Sequence, residues 1–141
     1  MGLLYIHIDG ASRGNPGNSG IGIVITKNSY KVTEYGAYIG TKTNNQAEYL
    51  ALKKALEVAS SLDDEVTILS DSELIVNQRL NNYKVRNKHL KELFRQISSL
   101  ERHFKIVNYK HIPRDLNRQA DLLANQAIDE QIKYKYKNGI I

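Results

Sequence analysis

Four carboxylates lie at the ends of predicted strands or on predicted helices, where they could act together in metal-dependent chemistry. Asp9 follows the apolar run 3–8, and Asp71 follows the apolar core of a later strand. Glu48 and Asp121 lie on two predicted helices, and none of the four has an obvious basic partner nearby in the sequence. Carboxylates that converge without cations repel one another and raise one another's pKa values, which bound divalent cations would relieve. Oxygen ligands favour Mg²⁺ or Mn²⁺, and two such ions can stabilise the attacking and leaving oxygens of a phosphodiester.

Each carboxylate also has an ordinary structural interpretation. Asp9 could form a turn, and Glu48 could be the acid of a capping box. Asp71 could cap the helix that follows it, and Asp121 could be a surface residue. For any one residue taken alone the structural interpretation is the better one, but the four together favour a metal site.

The segment 9–17 gives one of these carboxylates a suitable setting. It reads Asp-Gly-Ala-Ser-Arg-Gly-Asn-Pro-Gly and therefore predicts a strand that ends at Asp9 and continues into a turn with three glycines and a proline. A carboxylate at a strand's end is held rigidly at the edge of a sheet, and the glycines let a large charged partner approach the backbone. We therefore expect Asp9 to face a phosphate backbone.

Alternating and helical periodicities predict the elements that position these residues. The predicted strands are 3–9, 21–26, 31–39, 65–70 and 104–109, with a hairpin turn at Asn28 and Ser29. A capping box at 43–46 opens a helix that runs to about Ala59. Further helices are predicted at 73–80, at 88–100 and, capped by Asp115, from Leu116 to about Ile132. The order β-β-β-α-β-α-α-β-α predicts an α/β fold with a mixed sheet and helices on its faces.

Length and composition predict a single domain over residues 1–132. The chain has 141 residues, and the basic segment 133–141 has no clear period, which suggests a disordered tail. The absence of cysteine excludes a disulfide, a thiolate metal site and a cysteine nucleophile. No signal peptide or membrane span is recognisable, so we expect a cytoplasmic monomer without a membrane partner.

Positive charge is concentrated in the middle of the chain. The net charge is +5, whereas residues 79–105 alone carry eight Lys or Arg and two Glu, a net charge of +6. A basic surface of this kind favours binding of a polyanion such as nucleic acid. A solvated helical face explains the same residues equally well.

Four sequence blocks resemble those of type 1 ribonuclease H. They are 9–17, 43–48, 70–72 and 117–121, they occur in the family's order, and the match covers about residues 3–128. The resemblance implies the ribonuclease H-like fold, a five-stranded mixed sheet of three antiparallel strands followed by two parallel ones, flanked by helices. It also implies Mg²⁺-dependent hydrolysis of the RNA strand of RNA–DNA hybrids, giving 3′-OH and 5′-phosphate ends.

The resemblance also implies roles for individual residues. Asp9 would bridge two Mg²⁺ ions, for which Mn²⁺ could substitute. Glu48 and Asp71 would complete the coordination of one ion, and Asp121 would complete that of the other. Thr43 would hold a phosphate of the DNA strand, and amide side chains would read the ribose 2′-OH, which amides can both donate to and accept from. These amide residues are Asn15, Asn44, Asn45 and Gln46.

The chain departs from many bacterial members of the family in two places. Residues 81–88 are short and lack tryptophan, so the basic handle of those relatives is absent and a smaller basic patch would hold the hybrid. His111 lies ten residues before Asp121, at a spacing similar to that of a histidine on a flexible loop in many relatives. However, the segment 111–114 reads as a strand end followed by a proline. Either His111 or Arg114 could therefore assist at the site.

Three other functions fit the sequence less well. A non-catalytic module that binds hybrids or double-stranded RNA on the same fold would lack one or more of the four carboxylates, and all are present. An actin-like ATPase needs a second phosphate loop and a longer chain. A phosphatase with an aspartate nucleophile usually has a second aspartate two residues after the first, where this chain has Ala11.

Overall fold

A computed structural model of the chain describes residues 3–137, with side chains as far as Lys133. The strands are β1 (Leu4–Gly14), β2 (Gly17–Lys27), β3 (Tyr30–Lys42), β4 (Glu65–Ser70) and β5 (Ile106–His111). The helices are α1 (Asn44–Ala59), α2 (Glu73–Arg79), α3 (Lys88–Glu101) and α4 (Arg118–Lys137), and a 3₁₀ turn spans Arg114–Leu116.

The strands form one five-stranded sheet in the order β3-β2-β1-β4-β5. The first three are antiparallel, whereas β4 runs parallel to both β1 and β5. Asn28 and Ser29 join β2 to β3 with positive φ values of 52° and 68°, as the two central residues of a type I′ turn require. The predicted fold class and the predicted hairpin are confirmed.

The prediction that β1 ends at Asp9 was wrong. β1 continues to Gly14, and the last antiparallel pair joins Gly14 of β1 to Gly17 of β2. The glycine-rich backbone after Asp9 thus stays in the ladder instead of turning. Its parallel pairing with β4, however, stops at Ile8 and Ser70. Asp9 and Asp71 therefore both follow directly on the last parallel pair, at the same edge of the β1–β4 interface.

The last strand and the last helix differ from their predicted bounds. β5 begins two residues later than predicted and reaches His111. Asp115 does not cap α4, because it lies in the 3₁₀ turn that follows Pro113, and the helix begins only at Arg118. α4 then continues through Lys137, so five residues of the predicted tail are helical, and residues 138–141 lie outside the described part of the chain.

The core lies mainly between the sheet and the helices α1 and α3. The buried side chains of Ile6, Ile8 and Ile23 face Leu52 and Leu56 of α1 in one apolar cluster. α4 packs across the other face of the sheet over β1, β2 and β3. Among residues 3–137, no helix has both the length and the apolar character that crossing a membrane requires.

Candidate active site

The four predicted carboxylates line one open cavity of about 410 Å³ at the edge of the sheet. One carboxylate oxygen from each of Asp9, Glu48 and Asp71 lies within 4.8 Å of the other two. Asp121 is outside this group of three, but it lines the same cavity and raises the pKa of Asp9. The fold thus brings together residues from β1, α1, α4 and the end of β4.

Glu48 reaches the site because α1 crosses β1 at a glycine. A Cβ atom at Gly10 would overlap the backbone of Ala47 and Glu48, so only glycine permits this approach. The N–H of Gly10 donates a hydrogen bond to Oε1 of Glu48, whose residue is 8% exposed. The capping interpretation of Glu48 was wrong, because Gln46 fills that position and exchanges hydrogen bonds with Thr43.

Asp71 is oriented by Asn117, whose contribution the sequence did not reveal. The Nδ2 atom of Asn117 donates to Oδ2 of Asp71 at 3.2 Å and to the carbonyl of Ile8 at 2.8 Å. Asn117 is 1% exposed, and its Oδ1 atom has no partner among the described residues. Asp71 does not cap α2, because the side chain of Ser72 does so. Asn117 is in one of the four sequence blocks, which is the only signal that could have identified it.

Burial and mutual repulsion give the cluster unusual electrostatics. Burial, followed by the charge of Glu48 and hydrogen bonding to Asp121, raises the pKa of Asp9 to about 10. Burial also raises the pKa of Glu48 to about 7, although the N–H of Gly10 opposes the shift. Such a set of oxygen atoms, costly to ionise alone, fits hard divalent cations.

The predicted substrate contacts surround the start of α1. Asn44 and Asn45 line the carboxylate cavity, and Asn45 also lines a second cavity of about 250 Å³. This second cavity is further lined by Asn15, Thr43, Gln46, Asn87, His89 and Leu90. The Oδ1 atom of Asn15 accepts a hydrogen bond from the N–H of Asn44 at 3.0 Å. Asn87 and His89 were not predicted as site residues, since only the packing of α3 beside α1 brings them here.

The structure distinguishes the two auxiliary candidates. Arg114 lines the carboxylate cavity, and its charge partly offsets the rise that burial causes in the pKa of Glu48. His111 ends β5, and its Nε2 atom lies 3.3 Å from the backbone oxygen of Asp71. Arg114 is therefore the one whose side chain borders the cavity.

The basic stretch is smaller than its sequence indicated. Arg79 is buried, forms an ion pair with Glu101 and lies over the ring of Phe94 at 4.2 Å, so it cannot contact a phosphate. Arg95 pairs with Glu92 at 2.6 Å. The remaining basic residues of this stretch have no ion pair in the described structure. They are Lys84, Arg86, Lys88, Lys91, Arg102 and Lys105.

Residues 7–127 match a protein-family model described as reverse transcriptase-like, a range that includes all four carboxylates. The chain is 41% identical over 129 residues to the bifunctional protein Rv2228c of Mycobacterium tuberculosis. That match covers 89% of this chain and 35% of the mycobacterial protein, so the chain spans about a third of that relative's length.

Two solved structures resemble this one over nearly their whole length. RNase H1 from the halophilic archaeon Halobacterium salinarum is 37% identical with a TM-score of 0.89, covering 92% of this chain and 99% of that one. LC11-RNase H1, isolated from compost and solved in complex with an RNA/DNA hybrid, is 43% identical. Its TM-score is 0.88, with the same coverage of 92% and 99%.

Proposed function

Because this chain belongs to the type 1 ribonuclease H family, we propose that it is an endoribonuclease that hydrolyses the RNA strand of RNA–DNA hybrids. The products would carry 3′-OH and 5′-phosphate ends. The observation that best supports this function is the convergence of Asp9, Glu48 and Asp71, with one carboxylate oxygen of each within 4.8 Å of the others, beside Asp121. A module that only binds nucleic acid would have no need to bury mutually repelling carboxylates.

We propose that the four carboxylates hold two divalent ions, Mg²⁺ or Mn²⁺. Asp9 would contribute to both ions, Glu48 and Asp71 to one and Asp121 to the other. Bound ions supply charge that activates water and stabilises the leaving oxygen of the scissile phosphodiester. The chain itself contributes the orientation of the carboxylates, through the N–H of Gly10 at Glu48 and the amide of Asn117 at Asp71.

The amide side chains around the start of α1 would hold the RNA strand. Asn45 is exposed and borders both cavities, and its side chain has no hydrogen bond within the described structure, so its amide is available to a ribose 2′-OH. Asn44, Asn15 and Gln46 lie next to it. Thr43 opens onto the second cavity, where a phosphate of the DNA strand would lie. We propose that the chain acts as a monomer, because it supplies the four carboxylates and the predicted substrate contacts by itself.

A cleavage assay tests this function. A hybrid with end-labelled RNA is incubated with the purified chain in Mg²⁺, in Mn²⁺ and in excess EDTA. All-DNA duplex and double-stranded RNA serve as substrate controls, and Asp71→Asn serves as the inactive variant. We expect metal-dependent cuts within the RNA of the hybrid, and the products should be ligatable without phosphatase or kinase treatment. Full activity in EDTA would contradict the metal role, and tight binding without cleavage would indicate a non-catalytic binding module.

A further inference from the structure

The side chain of Asn125 lies between Asp121 and Arg13. Its Nδ2 atom donates to Oδ1 of Asp121 at 3.1 Å and to the backbone oxygen of the same residue at 3.0 Å. Its Oδ1 atom accepts from Nη2 of Arg13 at 3.2 Å. Asn125 also lines the carboxylate cavity, so this contact is made at the edge of the proposed metal site.

The chemistry of Arg13 fixes which way the amide of Asn125 points. A guanidinium group has donors and no acceptor, so the amide oxygen must face Arg13. The amide NH₂ is then directed at Asp121, as the geometry shows. If Arg13 were absent, the two oxygens of Asp121 would still attract the NH₂, but the amide oxygen would lose the partner that holds the side chain in this rotamer.

Arg13 is itself held by α4. Its Nη1 atom pairs with Asp129 at 2.6 Å, while Nη2 also contacts the backbone oxygen of Asn125 at 3.3 Å. Asn125 and Asp129 are one helical turn apart, so the planar fork of the guanidinium spans both. The pair with Asp129 is exposed, with side chains 39% and 51% accessible, and exposed ion pairs of this kind add little to stability. Its main consequence is therefore the orientation of Asn125.

We propose that Asn125, oriented by Arg13, is a positioning residue that holds the carboxylate of Asp121 ready for a divalent ion. This inference rests on the proposed function in taking Asp121 as a metal ligand. Glu48 and Asp71 each accept an N–H bond from a neighbouring element, from Gly10 and from Asn117. Asp121 lies outside the close group of three, and Asn125 gives it the equivalent support from within α4.

Binding of Mn²⁺ by calorimetry in the absence of substrate tests the proposal directly. The variants are Asn125→Ala, Arg13→Ala and the double variant, with Gln126→Ala as the control at a neighbouring exposed position of α4. Loss of a partner of a metal ligand typically costs 10–100-fold in affinity or activity, so Asn125→Ala should weaken Mn²⁺ binding about tenfold. Arg13→Ala should weaken it less, and the double variant should equal Asn125→Ala, since Arg13 acts through Asn125.

Kinetics on a hybrid provide the second readout. Both single variants should need more Mg²⁺ for half-maximal rate while the KM for hybrid stays within about twofold. Alanine is a better helix former than asparagine, so Asn125→Ala should fold, and its melting temperature is measured alongside.

Two results would overturn the proposal. One is unchanged Mn²⁺ affinity in folded Asn125→Ala. The other is an Arg13→Ala effect that adds to that of Asn125→Ala and appears as a higher hybrid KM with a flatter salt dependence, because Arg13 would then contact a phosphate. If the wild-type chain binds Mn²⁺ but cleaves no hybrid, the proposed function fails while the binding comparison still decides the role of Asn125. If the wild-type chain binds no Mn²⁺, both fail.

Discussion

At the scale of single residues, Asp9 is the carboxylate most affected by its neighbours. It is 6% exposed, and burial together with the charge of Glu48 raises its pKa to about 10. Without metal, the carboxyl group of Asp9 is therefore protonated at neutral pH and shares its proton with the cluster. A divalent ion would replace that proton, so binding of metal should release protons.

We expect Asp9→Asn to abolish cleavage while the metal-free protein stays as stable or becomes slightly more stable. At neutral pH the metal-free chain must protonate Asp9 to fold, and the neutral amide removes that cost while it keeps the size of the side chain. Initial rates on a hybrid and thermal unfolding in EDTA measure the two effects. Asp115→Asn, an exposed carboxylate in the 3₁₀ turn, is the matched control and should cleave normally. A clear fall in the melting temperature of metal-free Asp9→Asn would instead indicate a structural role.

The raised pKa values also predict how the stability of the metal-free protein depends on pH. The pKa of Asp9 rises from 3.8 to about 10 and that of Glu48 from 4.5 to about 7. The folded chain thus binds these protons more tightly than the unfolded chain. Their stabilising contribution is complete below about pH 4 and is lost as pH rises through the folded pKa values. Melting temperature in EDTA should therefore fall between pH 5 and pH 8.

The variant Asp9→Asn separates this effect from other titrations. It removes the carboxyl group with the larger rise in pKa, so its melting temperature should change less between pH 5 and pH 8. Equal pH profiles for the two proteins would show that the cluster is not the cause. Saturating Mg²⁺ should raise the wild-type melting temperature most at the higher pH, because metal competes with protons there.

At the scale of elements, the start of α1 places the residues of a capping box next to the residues that we propose contact the RNA strand. Thr43 and Gln46 bond to each other in a capping box, with Gln46 N–H to Thr43 Oγ1 at 3.2 Å and Thr43 N–H to Gln46 Oε1 at 2.9 Å. Asn44 and Asn45 are exposed beside them. The capping box keeps the helix start rigid, so the amides are presented in a fixed position.

We expect Asn45→Ala to lower kcat/KM on a hybrid at least tenfold, or about 1.4 kcal/mol, by removing one hydrogen bond to ribose. The capping box does not involve the side chain of Asn45, so melting temperature should hardly change. Lys53→Ala, a change on the same helix away from both cavities lined by Asn45, is the control. If Asn45→Ala cleaves normally, or loses activity only in proportion to its loss of stability, Asn45 does not contact the 2′-OH.

We expect the segment between α2 and α3, together with the first residue of α3, to contact the hybrid outside the carboxylate cavity. Lys88 begins α3 and lines a cavity with Lys42 and Gln46, so this end of α3 lies beside the start of α1. The opposite end of the 14-residue helix is about 20 Å away. Phosphate contacts should therefore come from the end of α3 that begins with Lys88, and not from its opposite end.

The triple variant Lys84→Ala, Arg86→Ala, Lys88→Ala should raise the KM for hybrid and flatten its salt dependence, with kcat changed much less. Each lost phosphate contact lowers the log–log salt slope by about 0.9. The control is the double variant Arg102→Ala, Lys105→Ala at the other end of α3, which tests whether net charge alone explains the effect. This control should leave the salt slope nearly unchanged. An unchanged slope in the triple variant would assign these residues to solvated surface.

At the scale of the whole molecule, the site depends on how closely α4 and α1 approach the sheet. Gly22 of β2 lies under α4, and a Cβ atom there would overlap the carbonyl of Ala120, next to Asp121. Gly10 likewise lies under α1, where a Cβ atom would overlap the backbone next to Glu48. The two faces of the sheet thus each have a glycine where a helix carrying a carboxylate crosses.

We expect Gly22→Ala to lower stability by about 1–3 kcal/mol and to weaken Mn²⁺ binding, because α4 must move away from the sheet and take Asp121 with it. Gly40→Ala is the matched control: its φ of +83° makes alanine strained, at about 1–2 kcal/mol, but nothing lies within 4 Å of the added Cβ. Chemical denaturation and calorimetry measure the two effects. Gly22→Ala with wild-type Mn²⁺ affinity would show that the spacing of α4 does not set the site.

Much of this architecture was predictable from the sequence because its causes are local. Period-two and period-3.6 patterns and the capping box at Thr43 act over a few residues, so the type and order of the elements follow from them. The errors occurred where local signals compete with long-range pairing. The glycines after Asp9 indicate a turn, yet pairing with β2 extends β1 to Gly14, and the 3₁₀ turn after Pro113 delays α4 past Asp115.

The sequence by itself determined which carboxylates are present and that Glu48 and Asp121 lie on helices; only the tertiary structure decided what surrounds them. Asn117 meets Asp71 across 46 residues, and Arg13 meets Asn125 across 112. Arg79, counted from sequence among the free cations, is instead buried against Glu101, 22 residues away. These contacts depend on how the helices pack on the sheet, and no pattern within a few residues encodes that packing, because it results from burial of apolar surface over the whole chain.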